Sequence, residues 1–163
     1  MASKNTTKYL SNKQEKQVAK DIGGKTVIAS GSLWGMKGDC RSDKYLIECK
    51  TTQKKSYRLT TETWEKINYE AIRDGLRTPI MCIEVNGISK AVVNVRHFNS
   101  IPEFNVLIEN LPVTDCDKAT SFLVRENDQI IRINTKLNKY SYTFKPNTLC
   151  VLDWDDFLEV IGE

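Results

Sequence analysis

Asp39, Glu48 and Lys50 fall within one stretch, IASGSLWGMKGDCRSDKYLIECKTT (Ile28 to Thr52), and their types can do one kind of chemistry together. Alternation in KYLIECKT puts Leu46, Glu48 and Lys50 on one face of a strand and Tyr45, Ile47 and Cys49 on the other. Only a short turn separates Asp39 from that strand, so two adjacent strands, or one bent strand, can bring both carboxylates to one point. Hard divalent cations favour such a point: Mg²⁺ takes oxygen ligands, keeps several waters, and completes its shell with phosphate oxygens. Lys50 can reach the same place and offer a cation to an attacking water or a charged phosphate. An Asp followed by Glu-x-Lys also arises on the solvated face of an edge strand, so the surrounding elements decide its weight.

Upstream, YLSNKQEKQVAKDIGG carries Ser11 three residues before Gln14, a capping-box signature, and ends on Gly23-Gly24, which predicts a helix from about Ser11 to Ile22. Val18, Ala19 and Ile22 stand three, four and seven residues after Glu15, so the Glu15 carboxylate lies in line with the apolar stripe and points inward. KTVIAS reads as a strand and GSLWGMKG as a loop. Trp64, Ile67 and Ala71 share one helical face in TTETWEKINYEAIRDGLRTP, which stops at Gly75 and Pro79. PIMCIEV reads as a buried strand joined through Asn86-Gly87 to SKAVVNV as a hairpin, giving the order αββαββ. Beyond Phe98 a short helix in IPEFNVLIENL, a pair of strands in SFLVRE and QIIRINTK, and an Asp-capped terminal helix in DWDDFLEVIG complete the chain.

With 163 residues, 40% hydrophobic and 28% charged, the chain suits one compact domain, and no apolar run reaches the length of a membrane span. The N-terminus lacks the apolar core of a secretory signal, so a cytoplasmic protein is expected. Cys40, Cys49, Cys82, Cys116 and Cys150 are odd in number with no CxxC pairing, which favours buried free thiols over disulfides or structural zinc. His97, the only histidine, follows an apolar strand and reads as structural or surface. The net charge of +3 is mild, but the bases gather before residue 60.

The sequence of helix carboxylate, strand, Ser-Gly-Ser loop, Asp39, Glu48-Cys49-Lys50, helix and strand resembles the PD-(D/E)XK nuclease family, and within it the archaeal-type Holliday junction resolvases. The matching positions are Glu15, Ala29-Ser30-Gly31-Ser32, Asp39 and Glu48-Cys49-Lys50, over roughly Ser11 to Val95. Gly38 stands where the family usually has Pro, and Thr63 or Trp64 where relatives often carry Gln. The resemblance implies an α/β fold with a restriction-endonuclease-like core, a mixed central sheet flanked by helices over residues 1–98, and a C-terminal strand and helix extension over 99–163 packed on it. It also implies that Asp39 and Glu48 ligate Mg²⁺, with Mn²⁺ as a substitute. The Cys49 carbonyl would be a further ligand and Glu15 a direct or water-mediated one. Lys50 would orient or activate the water, and Ser30 would touch the scissile backbone.

The implied activity is Mg²⁺-dependent, structure-selective cutting of DNA by a homodimer that places paired nicks in a four-way junction. A bacterial or archaeal cell is the setting, with a phage or other mobile element as a natural source. Two alternatives stay open: another nuclease of this family acting on ends, flaps or duplex sites, and a non-cleaving nucleic-acid-binding protein of the same fold. Lys13, Lys16, Lys20, Lys25, Lys37, Arg41, Lys54, Lys55 and Arg58 surround the presumed site in sequence, with Ser32 and Trp34 in its loop. Taken singly each base reads as a solvated charge; as a set they can contact phosphates. Trp34 reads equally as a core anchor or a base-stacking wedge. Trp64 reads as core or dimer contact, and the Trp64, Ile67, Ala71 stripe with the Ile80 to Val85 strand as surface for a homodimer.

Overall fold

The computed structural model describes residues 7–27, 39–111, 113–115, 121–126, 130–133 and 147–162. Helix α1 (Thr7–Asp21) leads into the short strands β1 (Lys25–Thr26) and β2 (Cys40–Arg41), then β3 (Tyr45–Thr52) and β4 (Ser56–Thr60). Helix α2 (Thr61–Arg73), β5 (Thr78–Val85), β6 (Ile88–Asn94) and α3 (Pro102–Glu109) follow. The chain continues through β7 (Val113–Asp115), β8 (Ser121–Arg125), β9 (Ile130–Ile133), β10 (Asn147–Asp153) and α4 (Trp154–Ile161).

A mixed sheet in the order β1-β2-β3-β5-β6-β10-β9-β7 forms the centre. Two of its strands, β1 and β2, are two-residue pairings; β3, β5, β6 and β10 supply most of the sheet's buried apolar residues among those described. β3 and β5 run parallel because α2 crosses between them, and β5 turns back into antiparallel β6. Asn86 and Gly87 hold positive φ of 48° and 82° there, the left-handed pair that a tight two-residue hairpin requires. β5 is nearly continuous in apolar residues because both of its faces are covered. On one face Val18, Ala19 and Ile22 of α1, Phe104 of α3 and Phe157 of α4 pack over Ile47, Cys49, Ile80 and Cys82. On the other, Trp64, Ile67 and Ala71 of α2, with Leu59 of β4 and Phe122 of β8, cover Leu46, Met81, Ile83 and Val92. Residues beyond Phe98 therefore enter both cores, and β10 lies beside β6 in the sheet itself.

The structure departs from the sequence expectations at several places. Helix α1 starts at Thr7, so Ser11 sits inside it and Gln14 does not close a capping box; Gln14 is 5% exposed and turns into the sheet instead. β8 and β9 are strands but not a pair: β8 joins β4, while β9 lies between β10 and β7. The β4 strand itself, SYRLT, carries no strong alternation and escaped the pattern reading. Asp153 precedes α4 without a side-chain capping bond, because its carboxylate is drawn to Lys90 at 2.6 Å. The expected KTVIAS strand is seen as Lys25–Thr26, its last residues lying outside the described ones.

The apolar stripe of α2 is spent within the chain. Trp64 is 4% exposed and Ile67 and Ala71 are buried beside it, so this stripe offers no surface to a second copy. What α2 leaves outside is Glu62, Lys66, Tyr69, Ile72 and Arg73.

Candidate active site

β2 pairs with β3 only through Cys40 with Ile47 and Arg41 with Leu46. Past Ile47 the β2-facing edge of β3 has no strand partner among the described residues, and Asp39 occupies that gap. Its backbone N–H donates to the Ile47 carbonyl at 2.9 Å, and its Oδ2 accepts the Cys49 N–H at 2.8 Å. A residue's N–H and C=O leave a strand by the same edge, so the Cys49 carbonyl is aimed to the side that Asp39 occupies.

Glu48 and Lys50 emerge on the α2 side of β3, as alternation required, and pair at 3.3 Å. The Glu48 carboxyl is raised from its ordinary 4.5 to about 6. Burial is the main cause and the nearby Asp39 charge the second; together they outweigh Lys50. The Lys50 ammonium is pulled down by burial, but Glu48, Tyr57 and Asp39 outweigh this and the net shift is upward. Glu15, half-buried on α1, is raised by burial first and by Asp39 second. Asp39 is thus the common neighbour of both glutamates, and Lys50 feels two of the three carboxylates, Glu48 and Asp39.

Helix α1 packs on the opposite face of β3 and is tied there by the side chains of Cys40 and Gln14. Cys40 Sγ donates to the Glu15 carbonyl at 3.2 Å. Gln14 Nε2 donates to the carbonyls of Lys50 and Cys82 at 2.9 and 3.0 Å, which ties the helix directly to the lysine's backbone. The sequence reading missed Gln14; its only signal was a polar residue four before Val18 on the apolar stripe. It also missed Glu70 of α2, whose charge adds a small upward push on Glu48.

The remaining candidates scatter. Lys13 and Lys16 are exposed on α1, and Lys54 and Lys55 are exposed in the β3–β4 turn. Arg41 forms an ion pair with Asp74 at 3.2 Å, and Arg58 Nη1 donates to Ser121 Oγ at 2.9 Å. Ser30, Ser32, Trp34 and Lys37 lie outside the described residues. Cys40, Cys49, Cys82 and Cys150 are buried free thiols, as expected, and Cys116 lies outside the described residues. Burial lowers His97, with Arg96 adding to the effect.

Among the described residues, no group of three or more His, Cys, Asp or Glu side chains is placed to hold a metal ion. A fully closed cage is therefore not what the carboxylates build. Mg²⁺ does not ask for one: it is held by one or two carboxylates and keeps its waters, and the excess negative charge around Asp39 fits that demand. No helix among the described residues is long and apolar enough to cross a membrane. No protein-family model, curated protein or solved structure matches the chain.

Proposed function

We propose that the chain is a Mg²⁺-dependent, structure-selective DNA endonuclease of the PD-(D/E)XK type, a Holliday junction resolvase acting as a homodimer. The observation that carries this reading is the Asp39 side chain seated on the Cys49 N–H at the open edge of β3, beside the Glu48–Lys50 pair. Asp39 and Glu48 would hold the ion, with the Cys49 carbonyl and Glu15 beside them. When bound, Mg²⁺ would polarise the phosphodiester and lower the pKa of an attacking water. The chain's own residues do the rest. Lys50, steadied through its carbonyl by Gln14, presents its ammonium to the water and the phosphate. Asp39, fixed by two hydrogen bonds, holds its orientation without reorganising. Paired nicks in a symmetric junction need two sites related by a twofold axis, and hence two copies of the chain.

Labelled four-way, Y-shaped and linear DNA incubated with the protein, with and without Mg²⁺ or Mn²⁺, tests the proposal. Metal-dependent, paired cutting of the four-way junction is expected. Cutting of linear or flapped DNA alone would leave a nuclease of the same family but remove the resolvase. Binding without any cutting would leave a nucleic-acid-binding protein.

A further inference from the structure

We infer that a cleft at the N-terminal end of β3 binds a backbone phosphate of DNA outside the cut site. The cleft measures about 430 Å³ and is lined by Lys25, Arg41, Lys44 and Arg77 along with Gly23 and Gly24. The topology puts these bases together. Lys25 lies opposite Arg41 in the β1–β2 pairing, and Arg41 opposite Leu46 in the next. β3 and β5 start side by side, so Lys44 and Arg77, each just ahead of its strand, meet at the same end; the Thr78 N–H donates to the Lys44 carbonyl at 2.8 Å.

The cleft is built, not merely charged. Asp74 pairs with both Arg41 and Arg77 at 3.2 Å, and Arg77 Nε donates to the Ser42 carbonyl at 2.7 Å, so two guanidiniums are held in place. Gly23 sits at a φ of 65°, and a Cβ at Gly24 would run into the Arg41 carbonyl, so the glycine turn is required for the wall to close. Four bases line the cleft against one carboxylate, Asp43, and with Asp74 pairing the two arginines counted as well the balance is still positive. Lys25 and Lys44 are exposed and make no ion pair among the described residues. A preorganised guanidinium pair with two exposed ammonium groups beside it suits a phosphate oxygen set.

Position selects the source of that phosphate. Arg41 stands two residues from Asp39 on the same segment, about 7 Å at strand rise. That is on the scale of the spacing between successive phosphates of one DNA strand. A strand whose scissile phosphate lies at Asp39 would thus lay a neighbouring phosphate over the cleft. The choice of a DNA strand rests on the nuclease proposal; the anion chemistry does not.

Fluorescence anisotropy with metal-free protein and a labelled four-way junction, across a salt series, tests this without cleavage. Lys25→Ala with Lys44→Ala should weaken binding about tenfold and flatten the slope of log K against log salt by about one to two. Lys66→Ala, an exposed lysine on α2, is the control and should flatten the slope less. An equal effect from Lys66→Ala, or unchanged DNA binding in the double variant, would overturn the inference. If the double variant instead loses affinity for inorganic phosphate or pyrophosphate while holding DNA as before, the cleft serves a free anion and the DNA assignment falls. If the wild type cuts no DNA yet shows the predicted loss on substitution, the cleft stands and the nuclease proposal is what fails.

Discussion

Two lysine–carboxylate pairs lie on the same face of the central sheet and differ in what surrounds them. Lys90 of β6 is 4% exposed and meets Asp153 at 2.6 Å, one base with one acid. Lys50 of β3 meets Glu48 at 3.3 Å, but Asp39 adds a second carboxylate and Glu15 lies beside Asp39. The first pair neutralises a buried charge and ends there. The second holds more acid than base at an unpaired strand edge, a costly arrangement for a fold and a useful one for a cation and a phosphate. The difference separates a structural ion pair from a candidate site without appeal to the sequence motif.

Exchanging the lesions should separate the two pairs most sharply. Lys50→Met is expected to cut junction cleavage by about a thousandfold or more, with the fold intact by circular dichroism. Asp153→Asn leaves Lys90 buried without its counter-charge and should cost about 3 kcal/mol in urea unfolding, with cleavage per folded molecule kept. Full activity in Lys50→Met, or lost activity without lost stability in Asp153→Asn, would erase the distinction.

The pH dependence of stability sharpens it further. Glu48 titrates at an ordinary 4.5 when unfolded and at about 6 when folded, so between those values the folded state binds more protons. Stability from this group is present below 4.5 and is lost as pH rises through 6. The loss amounts to about 2 kcal/mol in the metal-free protein. Glu48→Gln removes the charge but keeps the shape, so it should raise stability at pH 7 by up to that amount and flatten this part of the profile. A Gln variant less stable than wild type at pH 7 would show that the carboxylate is a stabilising partner of Lys50 rather than a strained member of a site.

Local signals carried much of this architecture. Trp64, Ile67 and Ala71 at helical spacing located α2, whose start is set by Thr60 accepting the Thr63 N–H at 3.1 Å. Asn86-Gly87 located the hairpin, and alternation located Glu48 and Lys50 on one face. Long-range pairing was not legible. SYRLT becomes a strand only because SFLVR, more than sixty residues later, pairs with it from Ser56 with Arg125 to Thr60 with Ser121. The proximity of Asp39 to β3 followed from a short turn, but its bond to the Cys49 N–H depends on where β2 stops pairing. Gln14 misled for the same reason. Its spacing from Ser11 imitates a local cap, while its partners are 36 and 68 residues away.

Gln14 also supplies the smallest effect. Its Nε2 makes two hydrogen bonds to strand carbonyls, each worth about 1 kcal/mol net, while its Oε1 is buried with no partner among the described residues. Gln14→Leu gives up the two bonds but also removes the unsatisfied oxygen, so the two changes partly cancel and a net loss of about 1 kcal/mol is expected. Gln14→Glu cannot donate to either carbonyl when ionised and places a charge in the core, so it should cost more. If the helix matters to the site through this residue, Gln14→Leu should also lower cleavage by Lys50, whereas its effect on Asp153 and Lys90 should be nil. Equal cleavage in Gln14→Leu and wild type, measured at the same folded fraction, would confine Gln14 to holding α1 on the sheet.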